Sequence, residues 1–135
     1  MRLSVIGALL LWPAACTTLP LNCVPPASPA TRVELLFGRD IPAGGEVSEA
    51  AWQDFLDRVV TPLFTDGLTV IAGEGQWRKP GSTEIVGERS KMLVLFAPGD
   101  ADLERKIVKV TDAYRQRFQQ QAVLGSYSPA CVAFH

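Results

Sequence analysis

Histidine and paired cysteine motifs are nearly missing from this sequence, and their absence excludes several kinds of active site. The only histidine is His135, the last residue, so a Ser-His-Asp or Cys-His pair has no well-placed base. There is no Cys-x-x-Cys pair, which excludes thiol redox centres of that kind. One histidine with dispersed carboxylates also disfavours zinc. The sequence therefore predicts no catalytic residue, metal site or cofactor.

The chain also lacks an excess of charge of either sign. Thirteen Lys and Arg residues stand against fourteen Asp and Glu residues, which gives a formal net charge of −1 over 135 residues. Nonspecific affinity for nucleic acid depends on a basic surface, so we expect no nucleic-acid partner. Hydrophobic residues make up 47% and charged residues 20% of the chain, a balance that favours a folded core.

The N-terminus has the order of an export signal. A short basic start (1–2) precedes an apolar run of about ten residues (3–12) and then the small residues Ala14 and Ala15. The run is too short to span a bilayer, which needs about twenty residues. We therefore interpret residues 1–15 as a signal segment of an exported protein, rather than as a buried strand or helix of the fold.

Cys16 stands where a bacterial lipoprotein signal places its acylated cysteine. The match is incomplete, because Pro13 occupies the position that usually holds an aliphatic residue. We expect lipid attachment at Cys16, which would anchor the protein to a membrane facing the periplasm without a spanning helix. The alternative is simple cleavage, which would release a soluble periplasmic or secreted protein.

Residues 16–31 contain four prolines and no charge, which is typical of an extended spacer. We predict a tether here and one folded domain over residues 32–135. If Cys16 carries lipid, Cys23 and Cys131 remain, and an oxidising compartment would let them form one disulfide. The alternative is a small buried Cys131 and an unpaired Cys23.

The predicted domain alternates strand and helix patterns. Strands are predicted over residues 32–37, 68–77, 84–96 and 130–134. Apolar residues at helical spacing predict a first helix that starts at the N-cap Ser48 and ends before Pro62, and a second over 100–118. The resulting β-α-β-β-α-β order predicts an α+β, ferredoxin-like fold. That fold is a four-stranded antiparallel sheet with two helices on one face.

Several short segments follow one another in an order and spacing that are similar to a bacterial family. They are Phe37–Arg39, Val47–Glu49, Asp66–Val70, Gly75–Arg78, Glu88–Lys91 and Cys131–Phe134. In these segments, over about a hundred residues, the chain resembles the domain of unknown function 3574 family. The resemblance implies an exported protein with this fold. It implies no catalytic residue, because the family has no established activity.

A ferredoxin-like sheet has one face that its helices leave free. The third predicted strand carries apolar residues on both of its faces near its end (92–96), so we expect the free face to be partly buried. The expected cover is a second copy of the chain, packed sheet on sheet as a homodimer.

Four residues on the hairpin and after the first strand form the candidate pocket: Arg39, Trp77, Arg78 and Glu88. An aromatic ring beside a guanidinium can stack on a ligand and pair with it, so we predict a polar or anionic small molecule there, whose identity the sequence does not give. The alternative is a solvated hairpin with cross-strand ion pairs.

Two functions are compatible with these features. We expect a membrane-anchored envelope protein that binds a partner or small ligand through its sheet face. The alternative is a cofactor-free enzyme of the dimeric α/β-barrel type, which acts on a small polar molecule.

Overall fold

A computed structural model describes residues 22–135 of the chain. The predicted signal segment (1–15) and the predicted lipid attachment at Cys16 lie outside the described residues. The strands are β1 (Ser28–Gly38), β2 (Thr69–Arg78), β3 (Ile85–Ala97) and β4 (Leu124–Val132). The helices are α1 (Glu49–Phe55), which continues as a π-helical segment (Leu56–Val60), and α2 (Leu103–Phe118).

The four strands form one antiparallel sheet in the order β2-β3-β1-β4. Each helix connects two strands that are not neighbours, so the helices pack on the same face of the sheet. The predicted ferredoxin-like fold is therefore confirmed. Among the described residues, no helix is long and apolar enough to cross a membrane.

The core lies between the sheet and the two helices. The strands β1 and β3 present alternate residues to it, Val33, Leu35 and Phe37 from β1 and Leu93 and Leu95 from β3, all almost fully buried. Four aromatic side chains of the helices pack against Phe37 or against one another: Trp52, Phe55, Tyr114 and Phe118. Their edge-to-face packing fixes both helices against one end of the sheet.

Helix α1 starts as its sequence predicts. The hydroxyl of Ser48 accepts a hydrogen bond from the backbone N–H of Ala51 at 3.1 Å, which satisfies a free N–H of the first turn. Val47 and Trp52, on either side of this cap, are both buried in the core. Such a pair sets the angle at which the chain enters the helix.

The strand β1 begins at Ser28, four residues earlier than predicted. Residues 28–31, predicted as the end of the tether, pair with β4, and only Thr31 also pairs with β3. Pro29 can lie here because β1 is still a sheet edge at that point and needs no second row of hydrogen bonds. The folded domain therefore includes part of the segment that its prolines had assigned to the tether.

The strand β4 differs most from its prediction. It runs from Leu124 to Val132 instead of over residues 130–134. Its side chains are mostly exposed, because it is an edge strand, so the pattern of apolar residues that marks a buried strand is missing. Pro129 also argues against a strand, but an edge strand tolerates it.

A disulfide joins Cys23 to Cys131 across 108 residues, with the two Cα atoms 5.5 Å apart. Cys131 lies opposite Pro29 in the β1–β4 pairing, so the bridge holds the chain just before β1 against the end of β4. The structure therefore contains the disulfide that the sequence predicts.

Candidate functional site

The face of the sheet opposite the helices, called here the open face, has a depression at one end. Ser90 of β3 lies between Gly73 of β2 and Gly38 of β1, and Glu88 lies opposite Gly75 of β2. Because glycines carry no side chain, these neighbours leave space around the two polar residues of β3. The depression follows directly from three glycines that share one face.

Trp77 forms one wall of this depression. It is two residues beyond Gly75, so it lies on the same face and diagonally across from Glu88. Its side chain is 47% exposed, although a large aromatic ring gains by burial. Trp77 and Glu88 line a cavity of about 460 Å³, called here the Trp77 cavity. Its other lining residues are Leu36, Gly38, Asp40, Ile41, Pro42, Val86, Gln120, Gln121, Ala122 and Leu124.

Two loops form the rim of the Trp77 cavity. The loop after β1 turns back at Gly44 and Gly45, whose φ angles of 106° and 85° favour glycine. The segment between α2 and β4 is held against this loop, because the side-chain amide of Gln120 donates a hydrogen bond to the carbonyl of Asp40 at 2.7 Å. The rim is therefore built by hydrogen bonds between backbone and side chains of neighbouring loops.

Glu88 lies at the boundary between two cavities. It lines the Trp77 cavity and also an adjoining one of about 390 Å³, which contains Asp40, Glu74 and Arg89 as well. A Cβ atom placed on Gly38 would lie 2.2 Å from Oε1 of Glu88. The carboxylate thus lies against the backbone of Gly38, a position that any larger residue would obstruct.

Arg39 lies on the other side of the sheet, in a group of charges called here the buried cation cluster: Arg39, Glu46, Glu49, Arg89 and Lys91. Both Arg39 and Lys91 are 7% exposed. Arg39 donates to the carbonyl of Val47 from Nε at 2.9 Å and from Nη2 at 2.5 Å. Its Nη1 donates to Oε2 of Glu49 at 3.3 Å. All of its guanidinium nitrogens therefore have partners within the fold.

The carboxylates of the buried cation cluster complete the pairing. Lys91 Nζ donates to Oε1 of Glu49 at 2.7 Å, and Arg89 pairs with Glu46. Glu46 Oε1 lies 3.0 Å from Nε of Arg39 but makes no hydrogen bond, because that N–H points to the Val47 carbonyl. The cluster ties the loop after β1, the start of α1 and the middle of β3 together.

The structure brings together two of the four residues of the predicted pocket. Trp77 and Glu88 line one cavity, whereas Arg39 belongs to the buried cation cluster and Arg78 lies beside Ile85 on the helix-side face. Neighbouring residues of a strand point to opposite faces, so Arg78 cannot share a wall with Trp77. The expected guanidinium–aromatic pair, and with it the basis for an anionic ligand, is absent from this cavity.

The hydroxyl of Tyr114 lies close to the site. It is fully buried and donates a hydrogen bond to the carbonyl of Gly38 at 2.8 Å, and burial raises its pKa well above the usual value. Its proton therefore stays on the phenol at neutral pH, and its role is to hold the end of β1. No group of three or more metal-ligating side chains occurs in the part of the chain that the structure describes.

The buried cation cluster makes stability sensitive to acid. The pKa of Glu49 is lowered, first by the hydrogen bond from Lys91 and then by the charges of Lys91, Arg39 and Arg89. A carboxylate with a lowered pKa stabilises the fold fully when the pH is above its ordinary pKa. This stabilisation is lost as the pH falls through the lowered pKa. We expect the melting temperature of the native protein to fall more than that of Glu49→Gln between about pH 6 and about pH 3.

The matched control for this measurement is Glu84→Gln, which changes an exposed carboxylate of the hairpin turn that has no ion pair within residues 22–135. Its melting temperature should follow that of the native protein at every pH. Parallel curves for the native protein and Glu49→Gln would contradict the role of Glu49.

These features define an α+β domain of ferredoxin-like fold, with a cavity of ligand size on the face that its helices leave free. The family model described as Protein of unknown function (DUF3574) matches residues 32–134. The chain belongs to this family, as the resemblance in its sequence segments predicts. A comparison with the curated proteins gives no match.

Solved structures with a similar fold include a phage SAM lyase in complex with S-methyl-5′-thioadenosine. It is 13% identical, with a TM-score of 0.57 over 78% of this chain and 90% of the other. The apo form of a phage SAM lyase is 10% identical, with a TM-score of 0.55 over 87% and 99% of the two chains. A PII-like protein from Thiomonas intermedia K12, with bound ADP, AMP and bicarbonate, is 16% identical, with a TM-score of 0.41 over 81% and 98%.

Proposed function

We propose that this protein is an exported lipoprotein of the cell envelope, anchored through Cys16, that binds a small ligand in the Trp77 cavity. The export signal over residues 1–15 and the cysteine that follows it support the location. The Cys23–Cys131 disulfide supports it independently, because such bonds persist mainly in oxidising compartments. Anchored in this way, the domain faces the periplasm.

The observation that carries the binding function is the exposed Trp77 in the wall of a cavity. Three glycines keep the open face clear of side chains beside it, and Leu36, Val86 and Leu124 supply apolar surface. Ligand sites in proteins combine such apolar walls with a few polar groups, here Glu88 and Asp40, in volumes of about 300 to 1,000 Å³. A flat sheet face that binds only another protein would need no such depression.

The alternative is a cofactor-free enzyme of the dimeric α/β-barrel type, acting on a small polar molecule. It is favoured by Asp40 and Glu88, two carboxylates that line the cavity and form no ion pair within residues 22–135, so that either is free to exchange a proton with a substrate. The phage proteins of similar fold are SAM lyases, so SAM and S-methyl-5′-thioadenosine belong among the test compounds. Release of a product would distinguish an enzyme from a binding protein.

The test compares two substitutions on one hairpin. Trp77→Ala removes the wall of the cavity, whereas Ile85→Ala removes an exposed side chain one residue pair away on the opposite face. In a thermal-shift screen of metabolites, a ligand at a hundred times its Kd stabilises a protein by about 2.7 kcal/mol. We expect compounds that stabilise the native protein and Ile85→Ala and fail to stabilise Trp77→Ala.

Two outcomes would contradict the binding function: no stabilising compound at all, or compounds that stabilise Trp77→Ala as strongly as the native protein. The sheet-on-sheet homodimer, which stays a prediction, would use the same face. Light scattering of the mature chain at micromolar concentration gives its mass with and without ligand, and a monomer contradicts the dimer. Mass spectrometry of the extracted protein, which reports lipid on Cys16, tests the anchor.

A further inference from the structure

We propose that the Trp77 cavity selects a small organic cation, of the trimethylammonium or sulfonium kind, whose charge is spread over alkyl groups. This inference rests on the proposed function, since it requires that a small ligand occupies the cavity. It reverses the charge that the sequence predicts for the ligand. Three observations carry it: the charges that line the cavity, the aromatic wall, and the unpaired carboxylate of Glu88 over Gly38.

The charges around the cavity are negative. Its lining contains the carboxylates of Asp40 and Glu88 and, as far as residues 22–135 go, no lysine or arginine. In the adjoining cavity Glu74 and Arg89 lie opposite each other on the helix-side face, and Arg89 is also paired with Glu46. Of the other nearby cations, Arg39 and Lys91 are buried behind the sheet with their own partners, and Arg78 lies on the helix-side face. An anion would therefore find repulsion and no counter-charge, whereas a cation would find two carboxylates.

The walls favour an alkylated cation over a metal ion. The face of a tryptophan ring attracts a cation through its quadrupole, and this attraction grows when the cation is already poorly hydrated. Leu36, Ile41 and Val86 surround the same space, and apolar walls cannot replace the water shell of a small inorganic ion. Two carboxylates, one from a loop and one from β3, also fall short of a metal ligand set, in agreement with the lack of such a set in the described part of the chain.

The carboxylate of Glu88 occupies space that Gly38 leaves free, and it has no partner of its own in the described chain. Its carboxylate lies against Gly38, where a Cβ would come within 2.2 Å of Oε1, so its place depends on glycine at that position. Within the described residues it accepts no hydrogen bond from a side chain and forms no ion pair. An unpaired carboxylate beside an aromatic ring provides both elements of a cation site at once.

The experiment uses the complete mature chain, with cationic probes and a neutral probe of similar shape. Tetramethylammonium, trimethylsulfonium and choline are the cations, and the neutral probe is the carbon analogue of choline with a tert-butyl group in place of trimethylammonium. Binding is measured by calorimetry and by tryptophan fluorescence. Trp12 belongs to the predicted signal segment and is absent from the mature chain. Of the two remaining tryptophans Trp52 is buried and Trp77 half-exposed, so the ligand-sensitive part of the emission comes from Trp77.

We expect at least one cation to bind and to quench Trp77, and the neutral analogue to bind about tenfold more weakly or not at all. Glu88→Gln, which keeps the size of the side chain, should weaken cation binding by about tenfold, and Glu84→Gln on the hairpin turn should leave it unchanged. Gly38→Ala should weaken it too, because the added methyl group displaces the carboxylate.

The contradicting outcomes separate this inference from the proposed function. If the neutral analogue binds as well as choline, or if Glu88→Gln leaves cation binding unchanged, the charge selection is wrong, and a Trp77-dependent ligand would still support a binding protein. If no cation binds but another compound stabilises the protein in a Trp77-dependent way, the selection is wrong and the site remains. If no compound of any charge depends on Trp77, both are wrong.

Discussion

Replacing Cys23 and Cys131 together by serine is expected to lower the free energy of unfolding by about 4 to 5 kcal/mol. The bridge closes a loop of 108 residues, nearly the whole domain, so its removal frees the unfolded chain from a long-range constraint. The stability of a domain of this size is about 5 to 15 kcal/mol in total, and the variant would be close to unfolded at the low end of that range.

Urea unfolding of the native protein and of the double variant, each with and without reductant, measures this effect. We expect reductant to lower the stability of the native protein to that of the variant. It should leave the variant unchanged, so the variant is the control for other effects of the reductant. A variant within about 1 kcal/mol of the oxidised native protein would contradict the prediction, because a bridge over so long a loop has a far larger expected effect.

The disulfide also connects stability with location. In a reducing compartment the domain would lose this stabilisation, whereas in the periplasm it would keep it. The bridge holds residue 23, only seven residues after Cys16, against β4. If Cys16 is anchored, the domain stands close to the membrane instead of at the end of a long flexible tether. The bridge therefore shortens the tether that the prolines predict.

The elements that bury one clear face could be predicted from the sequence. The N-cap Ser48, the helical spacing of Trp52 and Phe55, and the long apolar β3 were all sufficient, because burial against a core imposes a regular period on the sequence. The edge strand β4 could not be predicted in full. It lies at the edge of the sheet, buries few side chains and contains Pro129, so burial does not impose an alternating apolar pattern on its sequence.

The site could be predicted only from the strict alternation of side chains between the two faces of each strand. Trp77 and Glu88 share a face because of the hairpin register, and they meet in the cavity. Arg78 next to Trp77 points to the other face for the same reason, so adjacency in sequence was a misleading signal. Gly38 was the residue that sequence reasoning missed. Its signal was a glycine at the end of a buried strand, with two further glycines at 73 and 75 of β2, which lies across β3 from it.

Loss of the Arg39 side chain is the second change that should have a large effect. We expect it to lower the free energy of unfolding. Its guanidinium holds the Val47 carbonyl and the Glu46 and Glu49 carboxylates in a place that is almost fully buried. The carboxylates keep Lys91 and Arg89 as partners, but the Val47 carbonyl loses both of its donors, and a buried polar group without a partner costs about 1 to 3 kcal/mol. We expect Arg39→Ala to lose about that amount in a urea unfolding experiment.

The control is Arg78→Ala, since Arg78 is exposed on the hairpin and takes part in no ion pair of the described chain. An exposed substitution of this kind changes stability by about 0.5 kcal/mol or less. Arg39→Lys keeps the charge but cannot make the paired donation to Val47, so it should lie between the two. Should Arg39→Ala keep the stability of the native protein and lose ligand binding instead, Arg39 would be a ligand-binding residue as the sequence suggests, and the negative charge assigned to the cavity would be wrong.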